Sequence, residues 1–391
     1  MSLEVADIFR LNKHKLSYID GEKWKVVNAI TSCRTGKLGA HVFKCDSCDH
    51  AEISYNSCRN RHCPKCQSVS LMKWILNRDS ELLPVHYFHI VFTVPDLFKE
   101  ITKYNKGVIY NILFKSVSET IKETALNPKN LGAITGFFSI LHTWTQKLKL
   151  HPHIHCVVPG GGFSNDKLKW IKSHKNYFIN VKILSEVFRG KFSSYIEKAF
   201  NNNELIFPFN LNMLSDKYNF KNLLILSAAK EWVVYSKPPF KGSFWVVRYL
   251  ARYTHRIAIS NKRLVSLTEN EITFIWKDRN KGYKIKQEIL KTSTFMHRFL
   301  AHVLPHRFTK IRYYGFMGNA HRKENIKLAR ELLGCPLYKK ETTTIKNNWK
   351  DIMTHYTGQD PTECTKCENG HLILIHKSFK PIERRIRQKT G

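Results

Sequence analysis

The sequence predicts an α+β protein: an antiparallel sheet with helices packed on it, preceded by a small cysteine-rich domain. Three patterns carry this prediction. Residues 133–146 and the run "HIHCVV" are short, β-branched or aromatic, and joined by a short turn, which reads as an antiparallel hairpin. "RIAIS", "RLVSLTE" and "EITFIWKD" follow one another between turn residues and read as a β-meander. Runs with helical periodicity stand outside these strands, at 68–83, 96–125 and 320–333.

From the N-terminus, "SLEVADIFRLNKHKL" has a helical pattern, and the cysteine-rich segment follows. Cys45-x2-Cys48 and Cys63-x2-Cys66 are two knuckles with 14 residues between them. Zinc takes four tetrahedral thiolate or imidazole ligands, and two CxxC turns supply two each. The first expectation is therefore one zinc on Cys45, Cys48, Cys63 and Cys66. Cys33, His41, Cys58 and His62 lie in the same segment and make up a possible second set. The alternative is that Cys33 is buried and the other three have unrelated polar roles. Cys364-x2-Cys367, with His371 and His376 after it, supplies only two thiol ligands by itself. "CRNRHCPKCQ" sets Arg59, Arg61 and Lys65 among the ligands, either as phosphate contacts or as solvated charges.

"VHYFHIVFTVP" (85–95) reads as a buried strand, and a helix follows over about 96–125. In "HPHIHCVVPGGG", His153 and His155 stand two apart on a strand, side by side on one face at about 7 Å. They are polar residues on a solvated face, or neighbouring imidazoles that ligate a metal. On the preceding strand His142, Trp144 and Gln146 share one face by period two, so His142 or Gln146 can complete a three-ligand site. Such a site leaves positions open for substrate oxygens. Gly160, Gly161 and Gly162 allow a backbone to pass close.

"NYFINVKILSEVFRGKFSSYIEKAFNN" reads as a strand and then a helix, and "EWVVYSKPPF" as a strand ending at Pro238-Pro239. In "GSFWVVRYLARYTHRIAIS" a helix carries Tyr249 and Tyr253 four apart, with Arg248, Arg252 and Arg256 on the adjacent stripe. This is a core stripe beside a basic face, or a pair of nucleophiles whose high pKa is offset by cations and a polarised phosphate. Tyr313 and Tyr314 are rivals, but adjacent strand residues point to opposite faces. "TSTFMHRFLAHVL" reads as a helix and "KIRYYGFM" as a strand. From Lys377 to Lys389 six basic residues stand against one acid, an arm that attracts phosphate.

Across 391 residues, 64 Lys and Arg against 31 Asp and Glu give +33, which implies a polyanionic partner, nucleic acid first. No run of about 18 apolar residues stands in the sequence and the first helix is too polar for a signal peptide, so the expected location is cytoplasmic and nucleoid-associated, with no membrane. Ten cysteines in such a protein point to metal rather than disulfides.

Three blocks, in order, resemble one family. "CRTGKLGAHVFKCDSCDHAEISYNSCRNRHCPKCQ" resembles a transposase zinc-binding domain, "LHTWTQKLKLHPHIHCVVPGGG" the His-hydrophobic-His segment of HUH endonucleases, and "YLARYTHRIAISN" their tyrosine motif. The chain thus resembles the two-tyrosine HUH rolling-circle transposases of bacterial insertion sequences over nearly its whole length. The resemblance implies a zinc-binding domain over 1–84, an HUH-type catalytic domain over 85–335 and a basic C-terminal region over 336–391. It implies a central His strand faced by the tyrosine helix. It makes His153 and His155 ligands of Mg2+ or Mn2+, with Gln146 preferred over His142 because it lies nearer the turn, and Tyr249 and Tyr253 the nucleophiles. Arg59, Arg61, Arg248, Arg252 and Arg256 would contact DNA, and unpaired bases would stack on Trp144, Trp245 or Tyr253. The implied reaction joins single-stranded DNA at transposon ends and target through a 5′-phosphotyrosine and needs no ATP; the sequence has no G-x-x-x-x-G-K-[ST] loop. Rival readings are an HUH replication initiator or relaxase, a zinc-dependent DNA-binding regulator without catalysis, and a hydrolase that uses water.

Overall fold

The computed structural model describes residues 3–237, 258–278, 282–335, 348–367 and 369–378. The chain begins with helices Val5–Asn12 and Gly21–Ser32; the Asp20 side chain accepts the Lys23 N–H at the start of the second, an N-cap. Strands β1 (Ala40–Cys45) and β2 (Ala51–Tyr55) form a hairpin, and helix Ser68–Asp79 follows the second knuckle.

β3 (Tyr87–Thr93) is the expected buried strand. The helical region after it is two helices, Lys99–Tyr104 and Lys106–Leu126, broken at Asn105. The buried Asn105 amide there donates to the Ile101 and Ile206 carbonyls and accepts the Ile206 N–H. β4 (Gly136–Trp144) and β5 (Leu150–Pro159) make the expected antiparallel hairpin. β6 (Gly161–Phe163) and β7 (Trp170–Lys172) pair as a small ribbon.

No strand precedes helix Val181–Asn201, where the sequence pattern suggested one. Phe178 and Ile179 are both buried, and Asn180 caps the helix, so the apolar residues enter the core from a bend. β8 (Val234–Lys237) falls within the expected strand, whose end at Pro238-Pro239 lies outside the described residues. A three-stranded meander is present, but its strands are β9 (Leu264–Leu267), β10 (Glu271–Asp278) and β11 (Lys284–Lys291). Ala258, Ile259 and Ser260 of "RIAIS" are not in a strand. β11, "KIKQEILK", was hidden by its alternating lysines, with a strand period on a mostly exposed face. Helix Thr292–Leu300, β12 (Ile311–Gly315) and helix Arg322–Leu332 follow.

The main sheet runs β12-β4-β5-β3-β8, antiparallel throughout, with the histidine strand β5 at its centre. One face carries Phe88, Ile90, Phe92, Leu141, Ile154 and Cys156, buried in one core cluster with residues of the helices Lys106–Leu126 and Val181–Asn201. Fully burying each such side chain contributes about 1.5–3 kcal/mol. The opposite face divides in two. Tyr87, Phe138, Ile140 and Val157 pack with Phe316 and Met317 at one end, and the histidines occupy the other. Tyr314 stacks on Phe137 while Tyr313 faces Phe138 and Trp74, so the two tyrosines do point to opposite faces.

The N-terminal helices share a core with the meander and helix Thr292–Leu300: Val5, Phe9 and Ile30 with Ile272, Phe295 and Phe299. The end of the chain also returns here. Helix Trp349–Thr357 places Tyr356 against Ile75, and β13 (Leu372–Lys377) pairs with β1, giving a sheet ordered β13-β1-β2.

Candidate metal and nucleic-acid site

The site is built on the β4–β5 hairpin. Register places His142 directly opposite His153, and Ile140 opposite His155. Alternation puts all three histidines on one face, with one ring nitrogen from each within 4.8 Å of the others. His142 and His155 are buried, and His153 is half-buried.

The bonds around the rings select the donor atoms. His153 Nδ1 lies 2.7 Å from the His151 carbonyl oxygen, which only accepts, so Nδ1 carries the proton and Nε2 keeps its lone pair. His155 Nδ1 lies 2.7 Å from Nε2 of His89 on β3, and these two rings stack at 5.0 Å. With Nδ1 occupied, His155 also presents Nε2. Neutral imidazoles so oriented suit a divalent cation, and a ring partner on the far nitrogen is what fixes a ligand's tautomer and direction.

The third position was expected at Gln146, with His142 as the alternative. His142 is the residue brought to His153 and His155. Gln146 lies beyond the end of β4, in the turn, where its carbonyl accepts from Arg263 at 2.5 Å. The pairing is irregular between His142 and Trp144, so simple period-two extrapolation along "HTWTQ" fails there. His89 was missed because it sits in an apolar run. Its place in strand register with the His strand was the available signal.

The hairpin turn is held by a further histidine. His302 is buried; it meets the Thr143 hydroxyl at 3.1 Å and the Leu148 carbonyl at 3.1 Å. Leu148 has φ +60°, an unfavourable backbone for leucine, so this contact helps to hold the turn. Burial pushes the His302 pKa down to about 3.

The glycines after β5 accommodate the chain's own atoms. A Cβ on Gly162 would stand 2.5 Å from the Ile134 carbonyl oxygen, one on Gly161 would meet the Ile171 carbonyl, and one on Gly160 would meet the His86 ring.

The cysteines assemble differently from the expected sets. Cys63 and Cys66 join Cys33 and Cys58, and Cys45 and Cys48 join Cys364 and Cys367. The hairpin β1–β2 carries its knuckle to the chain's C-terminal end rather than to the second knuckle. His41 and His62 belong to neither group. His41 sits in β1 and stacks on Phe43 at 6.3 Å. His62 is a buried core histidine: Nε2 accepts the Leu304 N–H at 3.2 Å, Nδ1 lies 3.3 Å from Asn60, and burial pushes its pKa down to about 3.

Arg61 donates to the Phe308 carbonyl at 2.6 Å and the Pro305 carbonyl at 2.9 Å, tying the cysteine module to the loop before β12. Arg59 is exposed and lines a cleft of about 390 Å³ together with Arg61, Trp144, Thr309 and Lys310. Trp144 stands 4.1 Å from the His142 ring, and the Lys310 ammonium lies 5.1 Å from its centroid. A basic, aromatic-lined cleft thus adjoins the histidines. Tyr249, Tyr253, Arg248, Arg252, Arg256 and Trp245 lie outside the described residues.

Comparison with known proteins gives the class. A family described as "Putative transposase" matches residues 136–325, which include the hairpin, and one described as "Transposase zinc-binding domain" matches residues 6–94. These define a class, a transposase with an N-terminal zinc-binding domain. The chain is 43% identical over 376 residues to "Putative transposase y4qJ" of Sinorhizobium fredii (strain NBRC 101917 / NGR234), covering 95% of this chain and 94% of that one. It is 26% identical over 302 residues to "Transposase for insertion sequence element IS801" of Pseudomonas savastanoi pv. phaseolicola, covering 75% and 70%. No solved structure matches. The chain belongs to the IS91/IS801 family of transposases. It is therefore a DNA-acting enzyme, and its cysteine clusters fit structural zinc. Among the described residues no helix is long and apolar enough to cross a membrane.

Proposed function

We propose that this transposase cleaves and rejoins single-stranded DNA by tyrosine transesterification at an HUH-type centre, in rolling-circle transposition. The observation that carries the reading is the gathering of His142, His153 and His155 on the central hairpin. Nε2 of His153 and of His155, with one ring nitrogen of His142, would hold Mg2+ or Mn2+. When bound, such an ion supplies Lewis-acid polarisation of the scissile phosphate.

Tyr249 or Tyr253 attacks the phosphorus. The bond to the 3′ oxygen breaks, a free 3′-OH leaves, and the 5′ end stays on the tyrosine as a phosphodiester. Because the bond count is conserved, the 3′-OH of another strand reseals the DNA by the reverse attack. A second tyrosine makes a second cleavage while the first still holds its strand. Arg59 and Trp144 line the approach to the histidines; the exposed guanidinium neutralises phosphate and the indole stacks an unpaired base.

The test is a denaturing gel. Protein is incubated with labelled single-stranded oligonucleotides from the element's ends, with and without Mn2+. The reading predicts a metal-dependent covalent band, lost in His153→Ala and in the double variant Tyr249→Phe/Tyr253→Phe. Cleaved DNA with no adduct would replace the tyrosine by water. Tight binding with neither product would remove catalysis from the account.

A further inference from the structure

We propose that Cys45, Cys48, Cys364 and Cys367 bind a second zinc ion, which clasps the C-terminal segment of the chain onto the N-terminal hairpin. The zinc-binding family match ends at residue 94, so it contains one complete set of four cysteines, Cys33, Cys58, Cys63 and Cys66. Cys45 and Cys48 fall inside that match, but their partners lie more than 300 residues away, with Cys48 and Cys364 separated by 316 positions.

The geometry is that of a tetrathiolate. Zinc–sulfur bonds of about 2.3 Å give a tetrahedron with edges of about 3.8 Å. Cys45 and Cys367 have their sulfurs 3.6 Å apart, and Cys48 and Cys364 3.8 Å apart. All four lie within 4.8 Å of one another, and all are free thiols.

The two turns are near copies, as two zinc knuckles would be. Cys45 N–H donates to the His50 carbonyl at 2.9 Å, and Cys364 N–H to the Gly370 carbonyl at 2.8 Å. Ser47 N–H points at the Cys45 sulfur and Lys366 N–H at the Cys364 sulfur, each at 3.4 Å. Amides aimed at sulfur stabilise thiolate, the form that ligates. Gly370 is buried, and a Cβ there would run into the Cys45 sulfur and lie 2.8 Å from the Cys367 sulfur.

Burial does little to hold β13 itself in place. In β13, Ile373, Leu374 and Ile375 remain 54%, 45% and 59% exposed, so the strand is fixed to β1 mainly by backbone pairing. Added strands with little apolar burial are marginal in water. A metal bridging residues so far apart closes a very long loop and supplies the missing constraint. It fixes the origin of the basic run that begins at Lys377 beside the N-terminal domain.

The experiment uses the full chain, freshly purified, with zinc counted by native mass spectrometry and amide exchange followed over residues 372–377. The wild type should carry two zinc ions and protect β13. Cys364→Ser/Cys367→Ser should carry one ion and lose β13 protection, while the helix Lys106–Leu126 keeps its own. Gly370→Ala, which leaves every ligand in place, should also fall towards one ion. Chelation followed by Zn2+ alone should abolish and then restore β13 protection. One ion in the wild type would overturn the proposal. So would two ions in the double variant, or β13 protection that persists after the second ion is lost.

Discussion

Replacing His89 tests the way the metal ligands are held. His89 is 2% exposed, and its Nε2 lies 2.7 Å from His155 Nδ1, itself in a buried ring. If His155 ligates through Nε2, its Nδ1–H donates to His89. His89→Phe keeps an aromatic ring and deletes the acceptor. A buried donor left without its acceptor costs about 1–3 kcal/mol. Expressed as ligand misorientation, that is a factor of about 5–150, in line with the 10–100-fold losses of metal affinity typical of such outer partners. Mn2+ affinity should therefore fall about 10–100-fold in His89→Phe. His89→Gln, whose side-chain oxygen also accepts, should recover most of the loss. The assay titrates Mn2+ into zinc-loaded protein and follows the EPR signal of the free ion. A His89→Phe affinity within twofold of wild type, in a folded protein, would refute the reasoning. A Gln variant as impaired as Phe would refute the assigned direction of the hydrogen bond.

Other predictions concern the scaffold. His302 is neutral and buried with a pKa near 3, against about 6.5 when unfolded. Between those values the unfolded chain binds a proton that the folded chain does not. This residue therefore makes stability fall with falling pH, by at most about 1.4 kcal/mol per pH unit, below 6.5. Urea midpoints of His302→Gln should decline less than wild type between pH 6.5 and 4; parallel declines would contradict this. Gly162→Ala should destabilise by about 1–3 kcal/mol through its clash with the Ile134 carbonyl, seen as a lower melting temperature and not as a selective loss of DNA binding. Arg61→Ala should lower stability by about 2 kcal/mol or more, because its two charged hydrogen bonds hold Pro305 and Phe308. Arg59→Ala, on an exposed side chain, should leave the melting temperature unchanged and weaken DNA binding in a salt-dependent way.

Local pattern was legible where it repeated over a whole element. The buried strand at β3, the His hairpin, and the helices Ser68–Asp79 and Arg322–Leu332 follow from apolar periodicity. Long-range partnership was not. CxxC spacing announces ligands but not their partners, so the knuckle at Cys45 was matched with its sequence neighbour instead of with Cys364 and Cys367. His142 against Gln146 turned on an irregularity in strand pairing that no residue pattern declares. Arg61 resembles a phosphate contact in sequence, yet its guanidinium is engaged by two carbonyls from nearly 250 residues away. The glycine run signalled close approach correctly, but the approaching atoms belong to Ile134, Ile171 and His86.

The most direct measurement is pulsed EPR on Mn2+-loaded protein, which detects nitrogen nuclei coordinated to the ion. The account predicts imidazole couplings from three histidines, with one lost in His142→Ala and none lost in Gln146→Ala. Couplings unchanged by His142→Ala, or a bound Mn2+ with no imidazole nitrogen, would contradict a metal centre on this hairpin.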